Sequence, residues 1–141
     1  MSFVSGLHQA AELNLPEVMA QVLVEFERYE AALLAHDIDA INSFFFDSVI
    51  TVRLGVSEHG YGMEAIRAYR RRADPVPANR RLQNTVITTI GNTAASVCTE
   101  FVMPGSPMIG RQTQTWALTV RGWKIIASHV SQVPEATLLR D

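Results

Sequence analysis

Four β-rich segments occupy the C-terminal half of the chain, and they constrain the fold more than any other feature. Val, Ile, Thr and Trp are frequent in residues 81–90, 94–103, 109–120 and 123–133, as is typical of strands. Short turn-forming stretches separate these segments at 91–92, 104–107 and 121–122, and Pro134 ends the last one. Because turns this short join antiparallel neighbours, the sequence predicts a four-stranded antiparallel meander.

The first helix is predicted from the spacing of its apolar residues. They recur every three or four positions, as on one face of a helix, at Val18, Val22, Phe26, Tyr29 and Leu33. Asn14 is expected to cap this helix, with Pro16 in the first turn and Glu17 completing a capping box. The charged residues between the apolar ones are expected to face water; they are Glu25, Glu27, Arg28 and Glu30.

Two further helices and one strand are predicted before the meander. A helix that begins near Asp37 buries Ile41, Phe44 and Phe45; a strand spans 49–54; and a helix spans 62–72 after a loop at 55–60. This order predicts an α+β fold in which three N-terminal helices pack on a curved, mostly antiparallel sheet. Such a cone-shaped fold leaves a cavity between the first helix and the concave face of the sheet.

Length and composition indicate one globular domain. A chain of 141 residues with 48% hydrophobic and 18% charged residues can bury its own core. We place this domain at residues 14–133, between an N-terminal leader at 1–13 and a C-terminal tail at 134–141. The net charge of −2 argues against nucleic-acid binding through phosphates. No apolar run is long enough to span a membrane.

Cysteine and histidine usage bears on location and on metal binding. Cys98 is the only cysteine, so no intrachain disulfide can form, and we expect this residue to be a small core side chain. The N-terminus lacks the features of a signal peptide, and both observations fit a cytoplasmic protein. The four histidines are scattered, so we expect neither a metal site nor a cofactor.

The last two predicted strands carry polar residues within segments otherwise suited to burial; they are Arg111, Gln112, Gln114, His129 and Ser131. Buried polar groups must be hydrogen-bonded, so this hairpin is either a solvated face or the polar wall of a pocket. Alternation along a strand places Gln112 and Gln114 on the face opposite Arg111. The same alternation places His129 and Ser131 on one face with Trp123.

Several short strings resemble those of one protein family. They are FERYE at 26–30, TVRLG at 51–55, YG at 61–62, PGSP at 104–107, GRQTQTW at 110–116 and HVS at 129–131. With the order of elements, they resemble the nuclear-transport-factor-2-like superfamily. Within it they resemble the branch of oxalurate-catabolism proteins and the 1,3-dicarboxyurea decarboxylating amidohydrolase of bacterial cyanuric acid (s-triazine) degradation. The match extends over residues 14–133.

This resemblance implies a cofactor-independent amidohydrolase that converts 1,3-dicarboxyurea to allophanate and releases carbon dioxide. The family's catalytic pair is a tyrosine on the first helix and an arginine on the first strand, at the positions of Tyr29 and Arg53. The implied roles are proton donor or relay for Tyr29 and carboxylate or oxyanion clamp for Arg53. The alternative is a non-catalytic accessory or assembly partner of an amidase in oxalurate or triazine catabolism.

The two implied catalytic residues also have structural explanations. Arg53 can grip a carboxylate through two parallel hydrogen bonds, or it can pair with an acid such as Glu100. Tyr29 can relay a proton, with an adjacent guanidinium favouring its phenolate. It can equally be a core tyrosine whose hydroxyl bonds a backbone carbonyl.

The remaining candidates would bind a small dianionic substrate. Gln112 and Gln114 can orient a urea, or they belong to a solvated face or a subunit contact. His129 and Ser131 end the last strand at a cavity rim, although a lone histidine there can be a hydrogen-bonded core residue. Tyr61 is expected to close the cavity mouth. The arginines at 70–72, 80 and 81 are expected to form a solvated basic patch, and the chain to form a homodimer or a higher even-numbered oligomer.

Overall fold

A computed structural model describes residues 12–139 of the chain. The described part contains helices α1 (Pro16–Leu34), α2 (Ile38–Ser43) and α3 (Met63–Arg72). It also contains strands β1 (Val52–Leu54), β2 (His59–Tyr61), β3 (Arg81–Ile90), β4 (Ala94–Val102), β5 (Met108–Thr119) and β6 (Gly122–Pro134), followed by a 3₁₀ turn at Glu135–Thr137. The predicted α+β architecture is confirmed, with the helices packed on a curved sheet. Most of the predicted leader and the end of the predicted tail lie outside the described residues.

The six strands form one sheet in the order β2-β1-β6-β5-β4-β3. Strands β3 to β6 pair with their sequence neighbours in antiparallel fashion, as the predicted meander requires. Strand β1 pairs in parallel with β6 and in antiparallel fashion with β2. The N-terminal half therefore contributes a short strand pair to the β6 edge. No helix of residues 12–139 is long and apolar enough to cross a membrane.

Helix α1 buries the predicted apolar stripe but begins differently from the prediction. All five residues of the stripe are buried. Leu15, rather than Asn14, occupies the N-cap position, and no side chain caps the helix. The Asn14 side chain instead accepts a hydrogen bond from the Thr89 backbone N–H at 2.9 Å, and the Asn14 N–H donates to the Thr89 carbonyl at 3.1 Å. Asn14 therefore ties the start of the described chain to strand β3.

The region between α1 and α3 departs from the prediction in its element lengths. Helix α2 ends at Ser43, before Phe44 and Phe45, yet both phenylalanines are buried as predicted. The strand predicted at 49–54 is only three residues long, and Val49 is exposed in a turn. The loop predicted at 55–60 ends in strand β2, which the sequence did not reveal. Three residues per strand are too few to show a period of two.

A β-bulge in β6 determines which of its side chains face the cavity. Thr115 pairs with Ala127 and Trp116 pairs with Ile125, so Ile126 is an extra residue without a partner on β5. Because side chains alternate along a strand, one extra residue exchanges the faces beyond it. His129 therefore does not share the face of Trp123: Trp123 is buried, whereas His129 is exposed. The predicted common face of these residues is wrong for this reason.

The outer face of the meander contains another residue that was predicted to be core. Cys98 pairs with Thr113 between β4 and β5, and both side chains are exposed. The alternation of β4 places Val97 and Thr99, not Cys98, on the buried face. Cys98 is therefore a surface thiol of the sheet.

Gly110 allows an aromatic ring to lie directly over the sheet beside the cavity. Gly110 pairs with Phe101 across β4 and β5. A Cβ atom at residue 110 would overlap the Phe101 ring. The glycine therefore lets this ring lie flat against the backbone of β5, where it lines the cavity described next.

Candidate active site

A cavity of about 210 Å³ lies between α1, α3 and the inner face of the meander. Its walls come from several elements: Tyr29 on α1, Arg53 on β1, Arg70 on α3, and Gln112 on β5. Drug-sized ligands usually occupy pockets of about 300–1,000 Å³. The volume of this cavity is thus suited to a small molecule.

Arg53 is buried on the wall and is paired with a carboxylate from the loop that follows its own strand. It is 9% exposed, and its guanidinium donates to Glu58, not to Glu100 as the structural explanation suggested. Glu100 instead accepts hydrogen bonds from Gln83 and Asn84. A Cβ atom at Gly55 would overlap the Glu58 carboxylate. Gly55 therefore lets the loop fold Glu58 back over Arg53.

The Tyr69 ring gathers two guanidiniums at the cavity wall. The guanidinium carbon of Arg53 lies 4.6 Å from the ring centroid, and that of Arg70 lies 5.2 Å from it. Cations at these distances from an aromatic face are attracted by its quadrupole. Tyr69 thus holds two like charges near each other in one wall.

A second charged cluster joins α1 to the meander. Glu30 accepts from Arg80 through one carboxylate oxygen and from the Gln112 side-chain amide, at 3.2 Å, through the other. Arg80 also donates to the Gln112 carbonyl oxygen at 3.2 Å, and its guanidinium carbon lies 4.7 Å from the Phe101 ring centroid. The three polar side chains therefore satisfy one another inside the protein.

This cluster corrects two expectations about charge. Glu30 was expected to face water and is 7% exposed, while Arg80 was expected in a solvated basic patch and is 9% exposed. Arg70 was expected in the same patch and is 4% exposed. Arg71, Arg72 and Arg81 remain at the surface. Of the arginines predicted to form the basic patch, Arg70 and Arg80 therefore line the cavity, and the others lie at the surface.

Tyr29 lies on the cavity wall as a buried, neutral phenol. It is 4% exposed, and its ring meets those of Phe44 and Phe45 edge-on, with centroids 5.8 and 6.2 Å away. Burial raises the pKa of Tyr29 above 10.0, because the phenolate is poorly solvated there. Arg70 opposes this rise more than Arg53 does, and Glu30 adds to it. The guanidiniums favour the phenolate, as expected, but burial outweighs them and the phenol is favoured.

The two glutamines face inward; both polar atoms of the Gln112 amide bond to the protein, whereas the buried Nε2 of Gln114 has no hydrogen-bond partner among residues 12–139. Gln112 is 5% exposed and lines the cavity, and its amide bonds Arg80 and Glu30. Gln114 is 1% exposed, does not line the cavity, and accepts a hydrogen bond from the Trp116 indole at 3.1 Å. Gln112 therefore acts here as a wall residue, and Gln114 belongs to the core.

The other predicted site residues lie away from the cavity. Arg111 is exposed on the outer face and donates to Ser131 at 3.1 Å, and His129 is exposed on the same face. Tyr61 is 67% exposed and contacts a different surface depression. In place of the outer residues, β6 presents Val130 and Gln132 to the cavity.

Five charged residues of the cavity wall and its adjoining cluster were not identified as site residues from the sequence: Glu30, Glu58, Arg70, Asp74 and Arg80. Only Glu30 carried a usable signal. It lies four residues after Phe26 and three before Leu33, so it shares the buried face of α1. Glu58 lies in a short loop. Arg70 and Arg80 lie in two short runs of arginines, and the sequence does not show which arginine of each run faces inward.

Metal ligands are not clustered in this part of the chain. Within residues 12–139, no group of three or more His, Cys, Asp or Glu side chains is arranged to hold a metal ion. The ionisable side chains that line the cavity are guanidiniums, carboxylates and the phenols of Tyr29 and Tyr69.

Comparisons with known proteins identify the family. The AtzH-like family model matches residues 11–136 of the sequence. The chain belongs to the AtzH-like family. Proteins of this family have the nuclear-transport-factor-2-like fold, which agrees with the predicted superfamily. The comparison with curated protein sequences gives no match.

Solved structures resemble the AtzH-like chain at two levels. A cystatin-like fold protein from Burkholderia xenovorans LB400 is 49% identical, with 87% of this chain and 97% of that chain covered and a TM-score of 0.85. A protein of unknown function from Pectobacterium atrosepticum SCRI1043 is 44% identical, with 86% and 94% covered and a TM-score of 0.83. A nuclear-transport-factor-2-like protein from Pseudomonas putida KT2440, 17% identical with 79% and 84% covered, has a TM-score of 0.65 and shows the fold alone.

Removing the charge of Glu30 is expected to destabilise the protein. In Glu30→Gln, Arg80 loses its carboxylate and remains a buried cation, which costs about 3 kcal/mol of unfolding free energy. The matched control is Glu27→Gln on the exposed side of α1, where we expect a change within about 0.5 kcal/mol. Urea denaturation followed by circular dichroism measures both. Equal stability of the two variants would contradict the structural role of the cluster.

Tyr29 is expected to keep its proton at pH 10.0. Because the folded-state pKa of Tyr29 is raised above 10.0, its contribution to stability is present below that pH and is lost as the pH rises through the folded value. Absorbance titration of wild type minus Tyr29→Phe isolates this residue. A phenolate signal from Tyr29 that is complete by pH 10.0 would refute the assignment.

Proposed function

We propose that this AtzH-like protein is a cofactor-independent amidohydrolase that converts 1,3-dicarboxyurea to allophanate and carbon dioxide in triazine catabolism. The observation that supports this most is the composition of the cavity wall. A buried phenol, Tyr29, lines the same small cavity as three guanidiniums, those of Arg53, Arg70 and Arg80. A small dianion requires such a cationic lining, and breaking its carbon–nitrogen bond requires a proton donor.

In the proposed reaction, one carbon–nitrogen bond of the substrate breaks, and its electron pair stays on nitrogen. The carboxylate on that nitrogen leaves as carbon dioxide, and the Tyr29 hydroxyl delivers the proton to the nitrogen. The raised pKa of Tyr29 keeps this proton available at neutral pH. Nearby Arg70 and Arg53 stabilise the phenolate that forms. Water then returns a proton to Tyr29, and the hydroxide that remains combines with the carbon dioxide as bicarbonate, so the tyrosine is regenerated.

Arg53 orients the reacting end of the substrate. Its guanidinium can bind a carboxylate or the urea oxygen while its stacking on Tyr69 fixes the plane of the fork. Its present partner, Glu58, is a loop carboxylate. That carboxylate must share the guanidinium with the substrate or move aside for it. We also propose that the enzyme acts in the cytoplasm, which the presence of a single cysteine fits.

The proposal predicts that two substitutions abolish most turnover. Tyr29→Phe removes the proton, and Arg53→Ala removes the orienting cation; each should lower kcat/KM for dicarboxyurea by about 100-fold or more. Carbon dioxide release by the purified protein measures this. Arg81→Ala, at an exposed arginine, is the matched control for Arg53→Ala and should retain turnover. Wild-type rates in both site variants, with unchanged circular dichroism, would sink the mechanism.

A second candidate is a non-catalytic partner of an amidase. The outer sheet face favours it, because Val86 and Cys98 are exposed where β3 and β4 pair. Exposed apolar side chains of this kind suit a docking surface. Absence of turnover in the wild-type chain, together with co-purification of a pathway amidase, would support this role over the enzyme.

We further propose that the protein is a homodimer or a higher even-numbered oligomer that associates through this outer face. Light scattering should then give an even multiple of the chain mass at micromolar concentration. Val86→Glu should lower that mass, because it places a charge in the proposed interface. Val49→Glu, at an exposed residue of the turn before β1, should not lower it. A wild-type monomer would refute the proposal.

A further inference from the structure

Among the residues that the structure describes, Arg70 differs from the other two cavity arginines in having no ion-pair partner. Arg53 is paired with Glu58, and Arg80 with Glu30. Arg70 is 4% exposed, and no carboxylate among residues 12–139 lies within ion-pair distance of it. Its Nε atom is buried and has no hydrogen-bond partner in the same part of the chain. The cavity thus contains one buried cation that forms no ion pair with any of residues 12–139.

A guanidinium buried in this way is costly unless a ligand satisfies it. No carboxylate of the described residues pairs with the charge directly; burial, helped by the repulsion of Arg53, lowers the pKa of Arg70 more than Tyr29, Tyr69 and the more distant Glu58 raise it. The Tyr69 ring lies beside the guanidinium at 5.2 Å, which limits its motion without using its N–H groups as an anion would. The donor groups of Arg70 therefore remain available on the cavity wall.

We infer that Arg70 binds the carboxylate that remains on the product, whereas Arg53 faces the carboxylate that leaves. This inference rests on the proposed function and assigns the two ends of its substrate. It makes Arg70 a specificity-determining residue: a ligand must carry one permanent carboxylate to satisfy it. Arg70 is then needed to bind the substrate and the product alike.

The assignment of the two ends follows from the charge change in the reaction. The leaving carboxylate becomes neutral carbon dioxide, so a strong cation beside it would stabilise the bound substrate more than the transition state. Arg53 forms a direct ion pair with Glu58, whereas Arg70 forms none with any of residues 12–139. The retained carboxylate keeps its charge throughout, so binding it at Arg70 does not oppose the reaction.

Binding of two unreactive acids tests the assignment. Malonate has two carboxylates, as the substrate does, and malonamate has one carboxylate and one amide, as the product does. By isothermal titration calorimetry, Arg70→Met should weaken the binding of both acids by about 30-fold or more. Arg53→Met should weaken the binding of malonate clearly more than that of malonamate. The matched control Arg71→Met, at the exposed neighbour on α3, should bind both as wild type does.

Stability measurements separate lost binding from lost folding. Without ligand, Arg70→Met should melt no lower than wild type, because it removes a buried charge that has no partner. Arg70→Lys keeps a charge but loses the planar fork, and it should weaken malonamate by several-fold. If Arg70→Met does not fold, unchanged malonamate affinity in Arg70→Lys overturns the inference.

The outcomes distinguish this inference from the proposed function. One outcome would reverse the assignment and so overturn the inference. In it, malonamate binds Arg70→Met as tightly as wild type but no longer binds Arg53→Met. Wild-type turnover of dicarboxyurea with an unchanged KM in Arg70→Met would overturn it while leaving the proposed function intact. Arg70-dependent binding of both acids without any wild-type turnover would instead refute the function and support an anion-binding site.

Discussion

The buried cluster of Glu30, Arg80 and Gln112 is the interaction on which the cavity depends. It connects helix α1, the segment that enters β3, and strand β5 through charges and amides that satisfy one another. Buried ion pairs add little net stability relative to apolar packing, because desolvation offsets their attraction. We therefore interpret the cluster as a geometric constraint. It fixes the distance of α1 from the sheet, and with it the space in which Tyr29 lies.

Charge is distributed unevenly around that space. On one side the protein supplies its own counter-ions, as Glu30 does for Arg80. At Arg70 no carboxylate in the described part of the chain forms an ion pair, and the phenol of Tyr29 lies where the field of this guanidinium acts on it. In a site arranged in this way, ion pairs hold the neutralised arginines in place, and the unpaired arginine can bind an anion. This combination is expected of a preorganised site for a small anion.

The sequence predicted the architecture because architecture depends on long periodic patterns. The stripe of α1 and the meander segments were each long enough to show their period, and the resemblance located Tyr29 and Arg53. The charged residues of the cavity wall were harder to predict from the sequence. Arg80 meets a carboxylate fifty positions away in sequence, and such a partnership leaves no local pattern. The three-residue strands and the loop that carries Glu58 are too short or too irregular to show a pattern. Glu30 is expected to face water because it is not one of the apolar residues of the stripe, yet it is buried.

The bulge at Ile126 divides β6 into two halves, in which the inward-facing side chains alternate in opposite phase. Before it, the odd-numbered residues Trp123 and Ile125 complete the core; beyond it, the even-numbered residues Ser128, Val130 and Gln132 face inward. The hydropathy of the inward-facing residues in one half can therefore change without a change in the other half. The core can be kept constant in the first half while the ligand-facing residues of the second half change, and one extra residue provides this separation.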